Sequence, residues 1–131
     1  MRRQTLGIAA VIAGAAAAAP SVWQTVTHIT DETYRAPEAR HGAGHVQYHM
    51  AREALVTAGA FGAVGSILVA GPELSPALWR AMACAVGGFV AAMWSGGPTT
   101  GLWAPNRQAF AIHVASTSAL SLGVALLRPR R

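Results

Sequence analysis

The chain has 131 residues, of which 53% are hydrophobic and only 11% charged, with a mean hydropathy of +0.35. A soluble domain of this size carries about twice that share of charge, so the composition points to a membrane protein. The net charge of +5 comes from ten arginines without a lysine, several of which lie at chain ends and helix flanks. That placement suits membrane topology and argues against a nucleic-acid partner. The single cysteine, Cys84, excludes an intrachain disulfide and reads as a small buried packing residue.

Four apolar segments follow along the chain, at 4–22, 49–71, 76–94 and 109–127. Each is close to the ~20 residues that an α-helix needs to cross the hydrocarbon core. The expected fold is therefore all-α, an integral membrane four-helix bundle forming one transmembrane domain over 1–131. A polar loop is expected at 23–48, a tight turn at 71–75, and a Gly/Pro/aromatic, lid-like loop at 95–108. Gly7 and Gly14 in the first segment, and Gly59, Gly62, Ala63 and Ser66 in the second, are small enough for helix backbones to approach closely in lipid. With four spans, Arg2, Arg3, Arg80, Arg128, Arg130 and Arg131 fall on one side and Arg35, Arg40, Arg52 and Arg107 on the other. This bias places both termini in the cytoplasm of a bacterial-type cytoplasmic membrane, with 23–48 extracytoplasmic. The opening MRR and the run AAAAAP also resemble a signal peptide, whose cleavage would leave three spans in the same orientation. A retained first span is preferred, because the run is long for a signal core and four helices close a bundle more readily than three.

The polar residues inside this frame are the functional candidates. In RHGAGHVQYHMARE, His41, His45, His49 and Glu53 recur every four residues, which puts them on one face if the segment is helical. Neutral imidazole ligates transition metals, and histidines four apart on a helix can chelate one ion. All three imidazoles are too spread for a single ion, because eight residues of helix cover about 12 Å. His28 or His113 would have to complete such a shell. The plainer alternative is a polar helix entrance, with Tyr48 at the headgroups, Arg52 turned outward and Glu53 bonded to His49 or Arg52. In the last segment His113, Ser116, Thr117 and Ser121 share a face that should point into the bundle. No phosphate loop, CxxC, HExxH or nucleophile elbow is present.

The run SGGPTTGLWAPNRQAF resembles the loop between the third and fourth spans of styrene oxide isomerases, through Pro98, Gly101, Leu102, Pro105, Asn106 and Gln108. THITDETYRAPEARHGAGHVQYHM resembles their stretch leading into the second span, with a histidine after the first. The resemblance covers roughly Thr27 to the end of the fourth segment. Members of that family are trimeric haem b membrane enzymes in which ferric iron polarises an epoxide oxygen and promotes a 1,2-shift to a carbonyl. The resemblance thus implies haem b as cofactor, a homo-oligomer, and a lipophilic small-molecule substrate reached from membrane lipid. It places the cofactor- and metal-binding histidine at His41, with His45 one turn on as the reserve, and a pocket amide at Gln47. Where the family has an aspartate and a tyrosine on its third helix, this chain has Met82 or Ala83 and Val90 or Ala91. Glu53, His49 and His113 are then the residues left to act as acid or base. The expected function is a haem- or metal-dependent isomerase; the alternatives are a cofactor-free His/Glu enzyme acting on an apolar substrate, and a non-catalytic subunit or carrier.

Overall fold

The computed structural model describes residues 2–71 and 73–130. It is all-helical, with no strand among the described residues: α1 (Arg2–His28), a single 3-10 turn (Glu32–Tyr34), α2 (His45–Val69), α3 (Pro76–Trp94), the short α4 (Gly96–Thr100) and α5 (Arg107–Leu126). Four of these elements, α1, α2, α3 continued by α4, and α5, are long and apolar enough to cross a membrane. α1 and α2 pack on each other, as do α3 and α5, and the ring is closed by α1 against α5 and α2 against α3. α2 and α5 therefore take diagonal corners.

The α1/α5 seam is the tightest part of the bundle. Gly7, Val11, Gly14 and Ala18 are buried on α1 at spacings of four, three and four, facing Ser116, Leu120, Gly123 and Leu127. The backbones come so close that a Cβ on Gly14 would stand 2.7 Å from the Leu120 nitrogen, and one on Gly123 would stand 2.8 Å from that of Val11. In lipid, where apolar side chains gain little by leaving the tails, such close van der Waals contact is what joins helices. At the arginine-rich end, Arg3 donates to the Ala125 carbonyl (3.0 Å) and the Trp79 indole to that of Val124 (2.9 Å). Arg128 stacks over Trp79. The last residue, Arg131, lies outside the described residues, as does Pro72 of the tight turn.

Several boundaries differ from the sequence expectation. α1 runs through Pro20 to His28, so the long loop spans 29–44 rather than 23–48. The hydroxyls of Thr25 and Thr27 bond back to the carbonyls of Ser21 and Gln24, which satisfies the polar side chains that had suggested a loop. α2 starts at His45, because Gly42 takes a positive φ of 98° and turns the chain before it. The 95–108 segment contains α4, which closes on Gly101 with φ 77° and an N–H bonded to the Gly97 carbonyl. Cys84 is exposed rather than buried. Gly59 and Gly62 have open space where a Cβ would stand, and Ala63 and Ser66 are exposed. These four small residues of α2 thus face away from the other helices of the chain.

Candidate functional site

Because α1 and α3 run one way and α2 and α5 return, all five histidines gather at the end of the bundle opposite the termini. His28 closes α1, His41 lies in the loop, His45 and His49 occupy the first turns of α2, and His113 the second turn of α5. Tyr34, Tyr48, Trp23, Trp94 and Trp103 share this end, as aromatic side chains do at membrane interfaces.

The α2 histidines form a stack. The Nε2 atoms of His45 and His49 are 3.1 Å apart, with ring centroids at 4.5 Å, and His41 tilts against His45 at 5.2 Å from outside the helix. The four-residue spacing brings the first two together, and the turn at Gly42 lays the third beside them. Two imidazole nitrogens on one ion, with bonds of about 2.0–2.1 Å, stand roughly 2.9–3.4 Å apart for ordinary ligand angles. A separation of 3.1 Å falls within that range and equals an N–H···N hydrogen bond as well. Among the described residues no group of three His, Cys, Asp or Glu side chains is placed to hold a metal ion, so the donor set here is a pair. The two nitrogens face each other at that distance, and a compact ion between them would take the place of the shared proton. A haem asks for a single imidazole nitrogen over a broad flat apolar slot, and this pairing does not present one.

The other sequence candidates have separate positions. Gln47 is buried and its amide donates to the Asp31 carbonyl (3.2 Å), strapping the 3-10 turn onto α2. Asp31 caps that turn by accepting from the Thr33 hydroxyl (2.7 Å) and backbone N–H (2.9 Å). Those two bonds, the hydroxyl's first, hold the Asp31 carboxyl below its ordinary value. His28 stacks on Tyr34 at 3.8 Å, which also secures the loop. Glu53 forms no bond to His49, whose partner is His45, nor to Arg52, which turns outward over Tyr48 as the interfacial reading expected. Instead Glu53 lines a niche with Ser21 and Thr25 of α1, Thr57 of α2 and Phe89 and Met93 of α3.

His113 stands apart from the α2 stack, at the diagonal corner. It meets the Trp94 ring edge-on at 5.7 Å, and Trp94 also contacts Trp103 and Phe110. Its Nδ1 is buried without a hydrogen-bond partner among the described residues. Thr117 and Ser116 are buried but bond back to the His113 carbonyl, Ser121 is exposed, and the Trp94 indole donates to Thr117 (3.2 Å). No ring contact or hydrogen bond among the described residues joins His113 to the other histidines. The candidate residues therefore fall into separate groups; the 95–108 segment covers the α3/α5 corner, with Trp103 seated on Gly97.

Residues that carry the resemblance have structural duties here. Gly101 supplies the left-handed turn, and the Asn106 side chain caps α5 by accepting from Ala109 N–H (2.8 Å). The polar niche around Glu53 escapes a sequence reading, since Thr25 falls on the extension of α1 beyond the expected span and the approach of Ser21 to Glu53 depends on packing. The comparisons with known proteins add no relative: no family model, no curated protein and no solved structure matches the chain.

Proposed function

We propose that the protein is a membrane-embedded isomerase of a lipophilic small molecule, with a metal ion held by His45 and His49. The observation that supports this reading is the 3.1 Å separation of the two Nε2 atoms at the mouth of the bundle. An ion bound there supplies Lewis acidity toward an oxygen of the substrate, which suits rearrangement of an epoxide or another cation-type shift. His45 and His49 hold and orient. Glu53, one turn farther along the same face, is the group that takes up or returns a proton. The arginine-rich end then faces the cytoplasm, and the histidine end faces outward. A trimer is what the family resemblance would add to this reading.

The same 3.1 Å distance supports a second reading, in which the imidazoles share a proton and work with Glu53 by acid–base catalysis alone. Detergent-purified protein decides between them by metal analysis, its visible spectrum and its conversion of a lipophilic epoxide to a carbonyl product. The first reading expects bound metal, conversion that stops on chelation, and loss of both in the His45→Ala, His49→Ala double variant. Conversion by metal-free protein favours the second reading, and a Soret band would assign the metal to haem. Failure of metal-loaded protein to convert any epoxide contradicts the isomerase assignment.

A further inference from the structure

Along α1 and α2 runs an open apolar groove of about 510 Å3, lined by Val11, Ile12, Val22, Trp23, Val64 and Leu68 among others. It falls within the usual range for small-molecule sites. Trp23 and Ile12 are 68% and 58% exposed, so the groove opens sideways, where hydrocarbon surrounds the helices. Val22 and Thr57 line both this groove and the Glu53 niche, so the two adjoin at these side chains. The niche holds only about 20 Å3, roughly the room that one water-sized group needs.

Glu53 gives this junction a charge without a counter-charge. The ion pair found among the described residues is Arg35–Glu32, Arg52 is turned away over Tyr48, and the Glu53 side chain, exposed in the single chain, accepts no hydrogen bond from the described residues. A carboxylate within a spanning helix is costly unless something pairs with it. An ordinary acyl chain in the groove would leave it unpaired.

We infer that the groove binds an amphiphile with a hydrocarbon tail and a primary ammonium head, the head seated on Glu53 beside the hydroxyls of Ser21 and Thr25. Charge selects the ammonium, the volume of the niche limits it to a head about the size of water, and the groove takes the tail. The site involves no metal; it shares Glu53 with the isomerase reading but does not rest on it. Its test reads binding alone.

Trp23 reports on the groove directly. The full chain is placed in phosphatidylcholine nanodiscs at neutral pH and titrated with bromine-labelled stearylamine, stearyl alcohol and stearyl sulfate, while tryptophan quenching is followed. The expected result is saturable quenching by the amine at a mole fraction about tenfold below that needed for the sulfate, with the alcohol between. The Trp23→Phe variant should lose this component. Glu53→Gln should bring the three probes together. Gly65→Leu, at a position with open space for a side chain, should weaken all three by filling the groove. Equal quenching by every probe means ordinary lipid contact and overturns the inference. So does an amine preference that survives Glu53→Gln, or protection of Trp23 from every probe, which would mark the groove as covered by a second copy of the chain.

Discussion

The α1/α5 seam and the histidine end of α2 are built on opposite terms. In the seam, glycines let backbones touch and the polar side chains Ser116 and Thr117 are buried and bonded. At the start of α2, the helix opens on Gly44 with no side-chain cap, Tyr48 and His49 are exposed, and neighbouring imidazoles face one another. Stability is concentrated in the first region and unspent polar chemistry in the second. Substitutions should separate the two.

The largest effect is expected in the seam. Gly123→Ala and Gly14→Ala drive a methyl against backbone atoms, and each should lose about 2–3 kcal/mol in unfolding titrations with denaturing detergent. Gly62→Ala, in open space on α2, should instead gain about 0.5–1 kcal/mol. Equal responses at the two sites would erase the contrast. At the histidine end, His45→Ala and His49→Ala should change unfolding by no more than about 0.5 kcal/mol while abolishing metal retention, read by elemental analysis.

Smaller effects sharpen the boundary between scaffold and site. Gln47→Leu removes the bond to the Asp31 carbonyl and should cost about 1 kcal/mol; limited proteolysis at Arg35 and Arg40 should show the loop loosened while α2 stays intact. The smallest effect concerns acid. The folded-state pKa of Asp31 lies below its ordinary value, so its contribution to holding the turn is complete above that ordinary value and is lost as pH falls through the lowered one. Thr33→Val removes the larger cause, and an NMR titration of the Asp31 carboxyl should then move back up toward the ordinary range.

The spans were legible in the sequence because about twenty apolar residues in a row admit few other structures. The third begins at the expected residue, where Ser75 caps and Pro76 opens the helix, but its apolar stretch continues through α4. The end of α1 was hidden because hydroxyl side chains that bond back to their own helix look, as letters, like a loop. The histidine spacing put His45 and His49 on one face, whereas the metal pair expected from the resemblance was His41 and His45; the two glycines of HGAGH carried the message that His41 lies outside the helix. Cavities were illegible, since the diagonal placement of α2 and α5 depends on packing, and it is this placement that separates His113 from the other candidates. Gln47 shows the same limit: an amide suited to a pocket is occupied with holding a turn.

The most direct test of the central claim is calorimetric titration of the metal-stripped protein with zinc. One equivalent should bind the wild type, His45→Ala and His49→Ala should each lose that binding, and His113→Ala should keep it. Undiminished uptake by the His45→Ala, His49→Ala double variant, or no uptake by the wild type, would contradict the account.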